Sequence, residues 1–185
     1  MKLLIVRHAI AMEREDYQKT ARLASAVVTD PPAASTKDDE FRPLTLEGIR
    51  KMRKNAKGLK RLVPQPELLI SSPLTRATQT AEILQETWIG LDCLQANELK
   101  PGTHPDALID WFHQHPEFAK KKSFVAVVGH EPHLSHLVSW FLSGANRALL
   151  SLKKGGACLI EFDGAPRKGK GQLKFLVSGK CLPTS

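Results

Sequence analysis

Short apolar runs alternate along the chain with longer segments of helical periodicity. Five runs predict β-strands, at residues 3–6, 67–70, 124–128, 157–162 and 173–177. Uninterrupted apolar runs such as the first are typical of strands buried on both faces of a parallel sheet. The last two runs flank a glycine-containing basic turn, which predicts a hairpin at the sheet edge. The pattern therefore predicts one α/β domain with a mostly parallel sheet.

Segments with helical spacing connect these strands. Apolar positions over 46–59 predict an amphipathic helix that Thr45 caps and that ends before Pro64. After the second strand, we expect Ser72 to cap a helix with Pro73 in its first position, running to about residue 88. The same criteria predict a loop at 97–102, a helix around 108–112 and a helix from 131, opened by Glu131-Pro132, to Gly144.

Residues 12–42 interrupt the alternation. This stretch is rich in small and charged residues and contains Pro31-Pro32, and only 21–28 predict a short helix within it. A connection of this length inside a compact domain is commonly a functional lid or an insertion. We therefore expect residues 12–42 to be a mobile lid or insertion that leaves regular structure.

Composition narrows the class of protein. With 185 residues, 42% of them hydrophobic and 25% charged, the chain fits one soluble globular domain spanning 1–185. No apolar run approaches the roughly 20 residues of a transmembrane helix, and the short N-terminal run does not fit a signal peptide. The three cysteines are far apart and form no Cys-x-x-Cys pair. These features predict a reduced, cytoplasmic protein without a membrane partner.

The net charge of +8 favours anionic partners. Basic clusters occur at 50–54, 120–122 and 167–170. The first lies on a predicted helix, where a solvated face accounts for it. Few aromatic residues are interleaved to stack on bases, so nucleic-acid binding is not favoured. Nothing in the sequence sets the oligomeric state.

Reactive side chains follow three of the predicted strands. Arg7 and His8 follow the first, Arg76 lies just beyond the second, and His130 follows the third. Since ligands of open α/β sheets bind outside the carboxyl ends of strands, these side chains are expected to converge on one pocket. Arginine offers planar donors to phosphate oxygens. A histidine between arginines has a lowered pKa and is neutral and nucleophilic at pH 7.

Three motifs in order carry a family resemblance. They are Arg7-His8-Ala9, Ser71-Ser72-Pro73 with the following 76–81, and Gly129-His130-Glu131-Pro132. Together they resemble the histidine phosphatase superfamily, also called the phosphoglycerate mutase-like fold, over residues 2 to about 143. Length, Ala11 and the segment 98–101 are most similar to the short bacterial SixA branch, the phosphohistidine phosphatases. The resemblance implies a single-domain three-layer α/β/α sandwich with a mostly parallel central sheet and a C-terminal edge hairpin.

The resemblance also implies roles for individual residues. His8 is the implied nucleophile that becomes phosphohistidine, Arg7, Arg76 and His130 are implied to bind the phosphoryl oxygens, and Glu98 is the implied acid or base. The implied activity is hydrolysis of phosphohistidine in a signalling or phosphotransfer protein, such as a histidine-phosphotransfer domain, without metal or cofactor. Ala9 stands where the family usually has glycine, which bears on how closely this backbone approaches phosphate.

Other functions remain open at this point. The same site suits a phosphatase of small phosphomonoesters or a non-catalytic module that binds a phosphorylated protein, and the basic surface suits an RNA-binding protein. His133 and His136 follow His130 at three-residue steps, but there is no Glu-x-x-His zinc signature, so we interpret them as helix residues near the pocket.

Overall fold

One six-stranded sheet carries the three predicted motifs. The computed structural model describes residues 1–25 and 36–182, apart from the side chains of 22, 24–25 and 36–38. The strands are β1 (Lys2–Arg7), β2 (Leu68–Ser71), β3 (Cys93–Gln95), β4 (Phe124–Gly129), β5 (Ala157–Glu161) and β6 (Gln172–Val177). Their order across the sheet is β3-β2-β4-β1-β5-β6. Strand β1 is central, with β4 on one side and β5 on the other.

The direction of the strands determines where the motifs meet. Strands β1, β2, β3 and β4 run parallel, so their carboxyl ends share one edge of the sheet. Arg7 pairs with Gly129, which brings the ends of β1 and β4 side by side. Strand β5 is antiparallel to both β1 and β6. The predicted mostly parallel sheet and C-terminal edge hairpin are confirmed.

Helices cover both faces of this sheet. They are α1 (Arg14–Ser25), α2 (Leu46–Leu62), α3 (Thr75–Thr87), α4 (Asp106–Gln114) and α5 (His133–Ser143). Leu3 and Ile5 point into a core with residues of α4 and α5, and Leu4 and Val6 point into a second core with residues of α2 and α3. Because successive side chains of a strand alternate between faces, uniformly apolar strands supply both cores. The three-layer α/β/α sandwich is confirmed.

Several predicted boundaries need correction. Helix α3 begins at Thr75, with Leu74 at the capping position and no side-chain cap, so the prediction that Ser72 caps it was wrong. The Oγ of Ser72 accepts the N–H of Leu74 at 3.4 Å, before the first turn, and lies 2.8 Å from a ring nitrogen of His130. Helix α5 begins at His133, two residues later than predicted, and Gly144 ends it in a left-handed conformation as expected. Thr45 caps α2 through its Oγ1, which accepts the N–H of Gly48.

Strand β3 and the 3-10 helix beside it have no signal in the local sequence pattern. Strand β3 has three residues at the sheet edge and is largely exposed, so it has no apolar run. The predicted loop at 97–102 contains a 3-10 helix over Asn97–Leu99. Both are short elements held by neighbours: Ala96 donates its N–H to the carbonyl of Ser71. Tertiary contacts, rather than local periodicity, determine them.

The stretch 12–42 is more regular than predicted. It contains α1 and a 3-10 helix over Thr36–Phe41, so the expectation that it leaves regular structure was wrong. Glu15 and Asp16 lie in the first turn of α1, where their negative charges interact favourably with the positive end of the helix dipole and stabilise the helix. The helix starts seven residues before the predicted 21–28, of which 26–28 lie outside the described residues. Its mobility stays a prediction.

Candidate active site

The ends of β1 and β4 bring two histidines together. His8 follows β1, His130 follows β4, and the centroids of their rings lie 5.0 Å apart. Both are buried, with 7% and 1% of their surface exposed. They line a cavity of about 330 Å³ together with Arg7 and Arg76. The structure thus brings together four of the five residues that the sequence singled out.

The ring of His8 is held in one orientation and one tautomer. Its Nδ1 lies 2.7 Å from the carbonyl oxygen of Ala9. A carbonyl only accepts, so Nδ1 carries the hydrogen and Nε2 carries the lone pair of the neutral ring. Burial lowers the pKa of His8 to about 3; the bond to Ala9 raises it, and the charges of Arg76, Arg7 and Arg42 lower it further. The ring is therefore neutral at pH 7.

His130 is set by Ser72 at the end of β2. Its Nε2 lies 2.8 Å from Oγ of Ser72, and its Nδ1 is buried without a partner among the described residues. Burial lowers the pKa of His130 to about 2, and the charges of His8 and Arg76 add to this shift. Both rings are thus neutral at pH 7. Burial lowers their pKa values more than the charges of the neighbouring arginines do.

Arg7 is held by the segment before β5. Its Nη1 donates to the carbonyl of Leu152 at 2.7 Å. The N–H of Leu152 in turn donates to Oε1 of Glu131 at 2.8 Å, and Oε2 of Glu131 accepts from Ser135 at 2.6 Å. Glu131 is therefore a residue that anchors the peptide to which Arg7 binds. The sequence showed it only as part of a helix start.

Arg76 contacts a residue of the 12–42 stretch that the sequence analysis missed. Its Nη1 donates to the backbone carbonyl of Asp39 at 2.7 Å, and its Nη2 lies 3.2 Å from the carboxylate of Asp39. The same carboxylate pairs with Arg42 at 3.0 Å and Arg14 at 3.2 Å. All four residues line the cavity. The terminal nitrogens of Arg76 are thus both engaged by one acidic residue, in the way an oxyanion would engage them.

The net effect of these arginines on Asp39 is to lower its pKa. Burial raises the pKa, but the hydrogen bond from Arg14 and the charges of Arg76 and Arg42 together outweigh it. Asp39 is therefore ionised at neutral pH. No local pattern around Asp39 or Arg42 indicated a role. The other motifs each follow an apolar strand, and no strand precedes these two residues.

Unpaired polar atoms remain around the cavity. Nε of Arg7, Nε of Arg76 and Nδ1 of His130 are buried and have no hydrogen-bond partner among the described residues. Buried polar atoms are nearly always paired in folded proteins, by protein groups, water or a ligand. A tetrahedral oxyanion supplies several acceptors in a small volume. The arrangement fits such a ligand.

Ala9 occupies the position that is usually glycine in the family. Its side chain is buried, and its N–H donates to Oγ1 of Thr80 at 3.1 Å. Thr80 in turn donates to the carbonyl of Arg76 at 2.7 Å. The backbone N–H that follows His8 is thus bound to helix α3, where it positions the loop instead of binding a ligand.

Glu98 and the remaining histidines lie apart from this centre. Glu98 is half-buried in its 3-10 helix, is not among the residues that line the cavity, and forms no hydrogen bond or ion pair with other described residues. Its role as acid or base stays a prediction. His133 is buried with both ring nitrogens unpaired, and His136 contacts Asn146 at 3.0 Å. In the described part of the chain, no three His, Cys, Asp or Glu side chains cluster as metal ligands would.

Comparisons with known proteins identify the family of the chain. The model of the histidine phosphatase superfamily (branch 1) matches residues 37–100. An uncharacterised protein from Picosynechococcus sp. is 30% identical over 156 residues, which cover 84% of this chain and 82% of that protein. The structure of the protein histidine phosphatase SixA complexed with tungstate is 22% identical, with a TM-score of 0.72 over 97% of this chain and 98% of SixA.

A phosphoserine phosphatase mutant from Entamoeba histolytica, in complex with phosphoserine, has the same fold. It is 15% identical, with a TM-score of 0.63 over 97% of this chain and 98% of that one. Fold and sequence together show that the chain belongs to the histidine phosphatase superfamily, and its class is that of a phosphatase. Among the described helices, none is long and apolar enough to cross a membrane.

Proposed function

We propose that this protein hydrolyses phosphohistidine in a signalling or phosphotransfer protein, without a metal, through a phosphohistidine intermediate on His8. The observation that carries the proposal is the state of His8. Its ring is neutral and oriented through Nδ1, and its Nε2 has no hydrogen-bond partner among the described residues, in a cavity with Arg7, Arg76 and Arg42. An unprotonated imidazole among fixed cations suits attack on a phosphoryl group.

In the first step, Nε2 of His8 attacks phosphorus in line with the leaving imidazole. A nitrogen–phosphorus bond to His8 forms, the bond to the substrate imidazole breaks, and that ring, which carries hydrogen on its other nitrogen, leaves with the bonding electron pair as a neutral imidazole. The unpaired Nε atoms of Arg7 and Arg76 supply donors to the equatorial oxygens. Throughout, Nδ1 of His8 keeps its bond to Ala9, which holds the ring still.

In the second step, water attacks the same phosphorus atom from the side that the leaving group has vacated. The water loses a proton, the bond to Nε2 breaks, and inorganic phosphate leaves with neutral His8 restored. An imidazole is a better leaving group than an alkoxide, so this substrate makes a modest demand on a general acid. Glu98 is the predicted acid or base, and its place outside the cavity lining fits that modest demand.

The substrate is favoured by the size and surroundings of the site. The cavity of about 330 Å³ is large enough for a phosphoryl group and an imidazole ring, and the SixA structure matches with a TM-score of 0.72, against 0.63 for the phosphoserine phosphatase. The cations at its wall extend onto an open surface, where a folded protein can approach. These features support a phosphorylated protein in preference to a small phosphomonoester.

The test is phosphate release from a phosphorylated histidine-phosphotransfer domain and from p-nitrophenyl phosphate, each with excess chelator. Wild type is compared with His8→Ala and with His113→Ala, an exposed histidine of α4, as the matched control. We expect release from the protein that persists in chelator, vanishes only in His8→Ala and passes through an acid-labile phosphoenzyme. Turnover of the aryl phosphate alone would move the substrate to small phosphomonoesters. Folded protein inactive on both would favour a phosphoprotein-binding module.

A further inference from the structure

A second cavity adjoins the active site and has a strongly basic rim. This basic groove, of about 640 Å³, is rimmed by Arg50, Lys51 and Lys54 of α2, by Lys153 and Lys154 before β5, and by Lys180. Ile10 and the side of Met52 contribute to its apolar lining. The proposed chemistry uses none of the six cations, and neither family resemblance nor strand pattern pointed to the groove.

Half of these six cations have no acidic neighbour among the described residues; Arg50 and Lys51 interact with Glu47, and Lys154 with Glu13. Among the described residues, no acidic side chain lines the basic groove. The side chains of Lys54, Lys153 and Lys180 form no ion pair or hydrogen bond with other described residues. Like charges gathered in this way repel one another, and an anionic partner would relieve the repulsion.

The basic groove is continuous with the active site. Ala9 and Ile10, which line the groove, directly follow His8, and Lys154 lines both cavities. Gly155, also in the groove, donates its N–H to the carbonyls of Arg7 and His8, each at 3.2 Å. A polypeptide bound here therefore lies beside a phosphorylated side chain held at His8.

We propose that the basic groove docks an acidic segment of the phosphorylated protein substrate, next to its phosphohistidine, an inference that rests on the proposed function. Six cations around an apolar lining fit carboxylates with aliphatic side chains between them. The described lining contains no aromatic side chain, so it lacks the stacking surface that single-stranded nucleic acid uses. Complementary charge speeds encounter and raises affinity for the protein while leaving a small phosphate ester unaffected.

The test compares two charge reversals of equal net charge. Arg50→Glu/Lys54→Glu changes the groove. Lys120→Glu/Lys122→Glu changes exposed lysines just before β4, at the amino ends of the parallel strands and away from the groove. Glutamate has nearly the helix propensity of the residues it replaces in α2, so folding is retained. At low ionic strength, kcat/KM is measured for the phosphorylated histidine-phosphotransfer domain and for p-nitrophenyl phosphate. Arg50→Gln/Lys54→Gln serves as a milder second variant.

We expect the groove reversal to lower kcat/KM for the phosphoprotein by on the order of tenfold or more, mainly through KM, with the aryl phosphate unchanged. The neutral variant should lie between, and about 0.5 M salt should remove most of the difference. Equal losses in the two reversals, or equal losses on both substrates, would overturn docking while leaving the proposed function intact. A wild type that hydrolyses only the aryl phosphate contradicts the proposed substrate, and the docking proposal falls with it.

Discussion

At the scale of single residues, the proposed chemistry depends on the protonation state of His8. The pKa of its imidazole is lowered to about 3, first by burial, and its Nδ1 is fixed by the carbonyl of Ala9. We expect nitrogen-15 NMR of the imidazoles to show His8 neutral, with hydrogen on Nδ1, from about pH 8 down to about pH 5. The His8→Asn spectrum identifies the signal. A midpoint near the ordinary value of about 6.5 for His8 would contradict a buried, neutral nucleophile.

In the proposed reaction, Asp39 competes with the phosphoryl oxygens for Arg76. Its carboxylate and carbonyl engage both terminal nitrogens of that guanidinium. The pKa of Asp39 is lowered on balance, so this competition is present at neutral pH and is lost only as pH falls below the ordinary range of a carboxyl group.

Replacing Asp39 by Asn should therefore strengthen oxyanion binding. We expect the inhibition constant of orthovanadate to fall about tenfold, or about 1.4 kcal/mol, because a charged competitor is removed from Arg76. The control is Asp110→Asn, the same change at an exposed carboxylate of α4 that does not line the cavity. Weaker inhibition by vanadate in Asp39→Asn would show instead that Asp39 orients Arg76 for binding.

At the scale of elements, helix α2 is built against the loop that follows the nucleophile. The carbonyl of Ile10 accepts the N–H of Thr45 at 3.0 Å, and the backbone of Gly48 packs directly on the same carbonyl. A methyl group at position 48 would collide with that backbone oxygen. The first turn of α2 thus fixes the position of the Ile10 backbone in the loop after His8.

Gly48→Ala tests this contact. Alanine favours helix by up to about 1 kcal/mol over glycine, but the collision with backbone is the larger effect. We expect the free energy of unfolding to fall by about 1–3 kcal/mol and turnover to fall with it, as measured by urea titration and aryl phosphate hydrolysis. Lys57→Ala, an exposed position of the same helix, should change neither. A stabilised Gly48→Ala enzyme would contradict the proposed bracing.

Elements with strong periodicity were predictable, and so were the site residues attached to them. Strands β1, β2 and β4 are apolar on both faces, so Arg7, His8, Arg76 and His130 could be placed at one edge of the sheet from the order of residues alone. Asp39, Arg42 and Arg14 lie on elements with few apolar positions. Their convergence depends on tertiary contacts that no local pattern records, and for the same reason β3 and the start of α1 were missed.

At the scale of the whole molecule, buried neutral histidines make stability depend on pH. Burial lowers the pKa of His8 to about 3, of His130 to about 2 and of His133 to about 4. All three lie below the unfolded value of about 6.5. Their contribution to stability is therefore complete above about pH 6.5 and is lost as pH falls below it, by up to about 1.4 kcal/mol per pH unit for each histidine.

His133→Leu isolates one of these contributions. Both ring nitrogens of His133 are buried and unpaired, so leucine removes a titrating group without breaking a hydrogen bond among the described residues. We expect urea unfolding at about pH 7, 6 and 5 to show a pH slope shallower by up to about 1.4 kcal/mol per unit in the variant. Identical slopes in wild type and His133→Leu would mean that His133 is protonated in the folded protein.

The peptide from Ala9 to Ile10 directly follows His8 in the chain and also lines the basic groove. If occupancy of the basic groove changes oxyanion affinity through this peptide, the oxyanion must change occupancy of the groove by the same factor, because linkage is reciprocal. Transfer of the phosphoryl group to His8 would thereby change the rate at which the dephosphorylated protein dissociates from the basic groove. Dissociation of the dephosphorylated protein and hydrolysis of the phosphohistidine on His8 would then be coupled steps of one catalytic cycle.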